Sequence, residues 1–257
     1  MLRHGESTAI VEGRFQGRLD VPLSPLGQRE AELAASRLAV PHRSPAMPVP
    51  AGPPLEIVHS PLARAAATAE AVGRAAAEPG AFGVDVLRRP DAGFSEIGQG
   101  EWEGRLATEI AERWGDVLSA WRQRPAEAHA PGGETLQEVQ ARVRPALSRL
   151  LGNLAEGRPA GPADGPQVLG ASGAPGGQPW TILVAHDGVF KVTLLTLFDL
   201  PLERFWLFPF ALCGISVVEI LGGRPRLRAH NLTDHLGPVL EERARALAAE
   251  RERTGAL

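Results

Sequence analysis

The chain has 257 residues, 44% hydrophobic and 22% charged, with a formal net charge of −3 and a single cysteine. That length suits one sizeable α/β domain and is short for two. The mild negative charge argues against a nucleic-acid protein, one cysteine excludes an internal disulfide, and no apolar run reaches the ~20 residues of a membrane span.

Only Met1 and Leu2 precede the run Arg3-His4-Gly5-Glu6-Ser7. A residue presented at the end of a parallel strand normally has a strand behind it, so the first strand is expected to be a stub or to lie upstream. A sheet lacking that strand would leave neighbouring backbone groups unpaired. The same run leaves no room for a signal peptide, and a cytoplasmic protein is expected. Residues 7–24 read as a loop. Ser24-Pro25 is a helix start, followed by one apolar face to about Val40. The proline-rich stretch 41–54 is expected to be a surface insertion outside the core.

Residues 55–59 form a buried-strand candidate that runs into Ser60-Pro61, a second helix start, with the Ala-rich helix reaching about Ala77. Arg64 then lies in the first turn beyond a strand, where open α/β sheets bind ligands. Residues 84–88 are a further strand candidate. Glu96 and the Gly100-Glu101-Trp102-Glu103-Gly104 run follow in a loop. Residues 108–121 are helical in pattern, and Thr135-Leu136-Gln137-Glu138 matches a capping box ahead of a long apolar stripe. Residues 157–179 are rich in Gly, Pro, Ala and Ser and are expected to form a flexible surface insertion. Residues 181–185 are the clearest parallel-type strand, ending in His186-Asp187-Gly188 and an apolar helix to about Phe198. Segments 215–220 and 226–230 read as closing strands around a Gly222-Gly223 turn, and the tail from Val239 as a charged, solvated helix. Strands alternating with helices point to a three-layer α/β/α sandwich with a mostly parallel central sheet, in a single domain spanning 1–257.

Two histidines, two arginines and one carboxylic acid form a set suited to moving a phosphoryl group. Phosphoryl transfer needs positive donors around the equatorial oxygens, an in-line nucleophile and a proton for the leaving oxygen. His4 is the candidate nucleophile. Arg3 and Arg64 offer forked cationic donors, and His186 a further donor near phosphorus. Glu96 would protonate the leaving alkoxide and then deprotonate water. Gly5 lets the backbone approach closely after His4. His42, His59, His129, His230 and His235 read as surface, loop or satisfied buried histidines. Trp102 reads as a packing anchor, and Cys213 as a small buried hydrophobe. Arg14 is open between substrate binding and loop bracing.

These motifs, with Gly13-Arg14-Phe15-Gln16-Gly17, Asp20-Val21-Pro22-Leu23, Leu26-Gly27, Ser60-Pro61-Leu62-Ala63-Arg64-Ala65, Pro131-Gly132-Gly133-Glu134 and Val184-Ala185-His186, make the chain resemble the histidine phosphatase superfamily. The resemblance is to its phosphoglycerate mutase-like branch and covers nearly the whole chain. It implies a phosphohistidine on His4, a pocket of Arg3, Arg64 and His186, and Glu96 as proton donor. Substrate contacts are expected from Arg3, Gly5, the Ile10 position, Gln16, Gly17, Arg64, Glu96 and Gly188. It implies no metal and no cofactor. The segment from Glu96 to Gly104 is similar to the phosphatase subgroup, including broad-specificity and α-ribazole phosphatase-like members. A metal-independent phosphomonoesterase acting on a small phosphate ester is therefore expected. The competing readings are a phosphoglycerate mutase and a degenerate phosphate-binding module.

Two further departures from the family pattern bear on activity. Ile10 stands where an asparagine usually touches the phosphate; loss of one neutral donor is worth about 1–3 kcal/mol. Asp187 replaces a common glycine. It is expected to cap the following helix, although a carboxylate facing the pocket would repel dianions and raise the pKa of His186.

Overall fold

The computed structural model describes residues 1–157 and 178–242. Six strands form one sheet: β1 (Leu2–Arg3), β2 (Glu56–His59), β3 (Leu87–Pro90), β4 (Ile182–Ala185), β5 (Ile215–Leu221) and β6 (Arg224–Leu232), in the order β3-β2-β4-β1-β5-β6. The pairs from β3 to β1 are parallel; β5 and β6 extend the sheet antiparallel. The helices are α1 (Thr8–Val11), α2 (Pro25–Ala39), α3 (Ala63–Ala77), α4 (Ala107–Gln123), α5 (Leu136–Glu156) and α6 (Asp187–Leu197). The sheet is mixed but mostly parallel, as expected.

Period-two alternation decides which side chains meet which layer. Ile57, Ile182, Val184 and Leu2 project into a core shared with α2 and α3. Val58, Leu183 and Ala185 project into the opposite core with α5 and α6. Burial on both faces explains why 182–185 is apolar throughout. The local helix signals hold. Ser24 Oγ accepts from Gly27 N at 3.0 Å with Pro25 in the first turn, and Thr135 and Glu138 close a capping box on α5.

The first strand is a stub of two residues in the interior of the sheet. Leu2 pairs with Val184 on one side and Ile215 on the other, and Ser216 N donates to Met1 O at 2.9 Å. The neighbours of β1 therefore find partners despite its length.

Four expectations are corrected. The strand sought at 84–88 lies at Leu87–Pro90 and pairs in register with β2. It is an edge strand, where charge and proline are tolerated, so its apolar content misplaced it. The 41–54 stretch is not wholly outside the core: Met47 is buried against α2 and α3, and Gly52 O accepts from Trp180 Nε1 at 3.1 Å. α3 begins at Ala63, because Ser60 is occupied elsewhere, as shown below. The tail is not solvated from its start, since Val239 is buried. Most of the 157–179 insertion and the tail beyond 242 lie outside the described residues. Among the described residues no helix is long and apolar enough to cross a membrane.

Candidate active site

β2, β4 and β1 are neighbours in the sheet and run parallel, so the residues just past their carboxyl ends meet along one edge. Those residues are Ser60, His186 and His4. The rings of His4 and His186 lie 4.9 Å apart between centroids, inclined at 60°. Arg64, from the first turn of α3, is 1% exposed and donates to Leu19 O and Gly17 O at 2.9 and 2.8 Å. Arg3 donates from Nη1 to Phe210 O. The loop after His4 is held by contact between two glycines. A Cβ on Gly5 would lie 2.3 Å from Gly27 O, and one on Gly27 1.9 Å from Glu6 O, so neither position has room for a side chain.

Both histidines are neutral. Burial, followed by the charges of Arg3 and Arg64, holds His4 well below its ordinary pKa, opposed by its bond to Gly5. Burial, then His4 and the arginines, does the same to His186. His4 Nδ1 lies 2.6 Å from Gly5 O, an acceptor, which assigns the proton to Nδ1 and leaves a lone pair on Nε2. Ser60 Oγ lies 2.7 Å from His186 Nε2 and accepts from Leu62 N at 3.3 Å. We assign the Ser60 proton to the bond with Nε2, the tautomer that leaves His186 Nδ1 as an N–H donor. That Nδ1, Arg3 Nε and Arg64 Nε are buried without a partner among the described residues. Buried donors normally find acceptors, so unpaired donors on three neighbouring cationic or neutral side chains suit an oxygen-rich anion.

Glu96 reaches the amino end of α6. Its Oε1 accepts from Val189 N and Ile97 N at 2.9 Å each, and its Oε2 from Gly188 N at 3.2 Å. A Cβ on Gly188 would lie 2.7 Å from Glu96 Oε1, so the glycine admits the carboxylate. Glu96 and Gly188 line a cavity of about 200 Å³ with Phe15, Ile97, Gln99, Leu118, Trp121, Arg122, Asp187, Phe205 and Trp206. Gly17 belongs to the Arg64 brace, and Gln16 Oε1 accepts from Ser7 Oγ at 2.6 Å. Ile10 donates only through its backbone N–H, to Ser7. Its side chain replaces no lost donor.

Asp187 does not cap α6. The cap position belongs to His186, and Asp187, a residue of the cavity lining, accepts at Oδ2 from Lys191 Nζ at 2.5 Å. It is not among the groups that shift His186, whose pKa is lowered and not raised. Trp102 is buried and stacks edge-on with Phe15 at 5.8 Å, a packing role as expected. Arg14 donates to Glu12 and to Gly104 O and braces its loop. His42, His59, His230 and His235 each have a local partner, and Cys213 is buried. Sequence reasoning missed Ser60, which looked like a helix cap, and the cavity residues from α4 and the turn Leu202–Leu207, which look like ordinary packing. The Ser-Pro spacing after a strand was the available signal for Ser60.

The family model for the histidine phosphatase superfamily (branch 1) matches residues 1–160 and 171–233. Phosphoserine phosphatase 1 of Hydrogenobacter thermophilus is 26% identical over 96% of this chain and 98% of its own length. Glucosyl-3-phosphoglycerate phosphatase of Mycobacterium tuberculosis is 31% identical over 80% and 77%. A solved mycobacterial glucosyl-3-phosphoglycerate phosphatase in complex with VO3 superposes with a TM-score of 0.70 at 29% identity, over 91% of this chain and 98% of that one. The chain belongs to the histidine phosphatase superfamily, branch 1, as an enzyme that hydrolyses phosphate monoesters.

Proposed function

We propose that the enzyme cleaves a small soluble phosphate ester, in the cytoplasm and without a metal ion, through a phosphohistidine on His4. The observation that carries the reading is the convergence of one imidazole lone pair with three unpaired buried donors. His4 Nε2 attacks phosphorus as the ester P–O bond breaks. Arg3, Arg64 and His186 Nδ1 hold the equatorial oxygens. Glu96 takes up the proton of the ester monoanion and gives it to the departing alkoxide. Glu96 then takes a proton from water, whose oxygen attacks the phosphorus of phospho-His4. Inorganic phosphate leaves and His4 is restored with its Nδ1 proton in place.

The two curated relatives are named for phosphoserine and glucosyl-3-phosphoglycerate, both modest in size, and the cavity beside Glu96 suits the leaving group of such an ester. The test is release of inorganic phosphate from a panel of esters by wild type and His4→Ala, with and without EDTA. Turnover that survives EDTA and disappears in a folded His4→Ala supports the reading. An acid-labile, base-stable phosphoprotein should be trapped from wild type. Wild-type turnover by His4→Ala would overturn the mechanism, and conversion of 3-phosphoglycerate to 2-phosphoglycerate without free phosphate would favour a mutase.

A further inference from the structure

Among the described residues three non-glycine positions have left-handed backbone, and two of them, Cys213 at φ 51° and Asn231 at φ 54°, belong to one hydrogen-bonded unit behind the strand stub β1. Such conformations persist only where the surroundings enforce them, and they concentrate at functional sites. Cys213 lies in the turn 210–214, which leads into β5 and touches β1 and the residue after it at three points. Arg3 N donates to Gly214 O at 3.3 Å, Arg3 Nη1 donates to Phe210 O, and Cys213 N donates to His4 O at 3.3 Å. β1 has only two residues, so its ladder alone does not fix the Arg3 side chain. A guanidinium is a rigid fork, and this one has Nη1 anchored on a carbonyl and Nε buried without a partner. The position of Phe210 O therefore sets where the unpaired Nε–H points.

The turn hangs in its own right on the end of β6. Asn231 Oδ1 accepts from Ala211 N, the residue after Phe210, at 2.7 Å, and Asn231 N donates to the buried Ser216 Oγ at 3.0 Å. A Cβ on Gly214 would lie 2.3 Å from Asn231 Oδ1, so the glycine makes way for that oxygen. His235 Nε2 lies 3.0 Å from Cys213 O, an acceptor, which assigns the proton to Nε2. Glycine would adopt the left-handed backbone at 231 with less strain than asparagine, so what asparagine adds is the acceptor. We infer that Asn231 is a positioning residue: through Ala211 and the carbonyl of Phe210 it aims the Arg3 guanidinium at the phosphoryl oxygens, and His235 holds the far end of the same turn. The inference rests on the reading of Arg3 as a phosphate donor. Asn231 touches no reacting atom, and its contribution is geometric, because a site of this kind works only when its donors are held to a fraction of an ångström.

Two substitutions at Asn231 separate the acceptor from the backbone. Asn231→Gly keeps the left-handed conformation and removes Oδ1, whereas Asn231→Asp keeps an acceptor there. The readouts are kcat/KM on p-nitrophenyl phosphate and the inhibition constant of orthovanadate, a phosphoryl mimic. Asn231→Gly should weaken both by about 10-fold, short of the about 100-fold that a full 1 Å displacement can cost, and Asn231→Asp should restore most of the loss. In an Arg3→Ala background Asn231→Gly should add less than about 2-fold, because two residues that act through one contact are not additive. Wild-type vanadate inhibition in Asn231→Gly, an Asn231→Asp as poor as Asn231→Gly, or the same 10-fold loss with and without Arg3 overturns the inference and leaves the phosphatase reading intact. Wild-type vanadate inhibition in Arg3→Ala overturns the phosphate role of Arg3 and the inference with it. If Asn231→Gly does not fold, His235→Ala loosens the same turn at Cys213 O, and the same comparison with and without Arg3 decides.

Discussion

Gly188→Ala separates the proton donor from the rest of the machinery. The added Cβ would lie 2.7 Å from Glu96 Oε1 and 2.8 Å from Ile97 Cδ1, both at the free ends of flexible side chains. Restoring ordinary contact requires the carboxylate to retreat by roughly 0.5–1 Å, which breaks its bonds to the amino end of α6. A displacement of that size can reduce a rate by about 100-fold, within the 10²–10⁴ that a positioned acid supplies. The fold has no reason to suffer, since alanine replaces glycine inside a helix and favours it by up to about 1 kcal/mol. The discriminating assay compares kcat on an alkyl phosphate, whose alkoxide needs a proton to leave, with kcat on p-nitrophenyl phosphate, whose phenolate does not. The alkyl ester should lose about 100-fold and the aryl ester much less in the first, ester-cleaving step. Equal losses on both, or unchanged turnover of the alkyl ester, would refute the placement of Glu96 as proton donor.

The neighbouring residues give three further predictions. His4 and His186 are both held below their ordinary value of 6.5, so the unfolded chain binds protons there that the folded chain refuses. Stability is complete above about pH 6.5 and falls as pH drops toward the lowered folded-state values, by up to about 1.4 kcal/mol per pH unit for each histidine; urea midpoints that do not fall between about pH 7.5 and about pH 5.5 would contradict this. Ser60→Ala removes the donor to His186 Nε2 and frees that ring to take the other tautomer, which should lower kcat by about 3- to 10-fold, with Ser60→Thr retaining more activity; equal rates for wild type and Ser60→Ala would remove Ser60 from the site. Trp102→Ala empties a fully enclosed position against Phe15 and should cost about 3–5 kcal/mol in denaturant melts, whereas a loss below about 1 kcal/mol would show that the surroundings collapse into the space.

The strand-end cluster was largely legible in the sequence. His4, Arg64 and His186 each follow a strand or strand stub, and the edge beyond parallel strands is a local inference from apolar runs and helix starts. The neutral state of the histidines was also within reach, since a strand end buried on both faces leaves them little water. The strand boundaries failed where burial is one-sided, as at β3, whose arginines serve an edge and pair with Glu56 of its neighbour. Met47 failed because a proline-rich segment without periodicity gives no sign of which single side chain will turn inward. Ser60 failed for a different reason. Its hydroxyl has two plausible partners, a helix backbone N–H two residues on and a ring 126 residues away, and only the local one is visible before folding.

On the proposed mechanism, the phosphate end and the leaving-group end of the site differ in kind. At the phosphate end, chemistry dictates residue type, because a nucleophilic imidazole and forked cations have few substitutes, and the pattern stands out. At the leaving-group end, Leu118, Trp121, Phe205 and Trp206 satisfy packing as well as they satisfy a substrate, so residue type carries little information. Charge is the exception there, since packing does not call for it. A buried lysine between two aromatic rings and a carboxylate held to it have no structural necessity in an apolar wall, where a leucine and a glycine would pack with less desolvation. Their effect is to neutralise the acid beside the cavity. On that argument the departure from glycine at Asp187 does not weaken phosphate binding, and Lys191 is what makes it tolerable: Lys191→Met should leave Asp187 unpaired beside the cavity and lower kcat/KM for dianionic esters, and Asp187→Gly in the same chain should recover it. A double variant no better than Lys191→Met would place the fault in packing and not in charge.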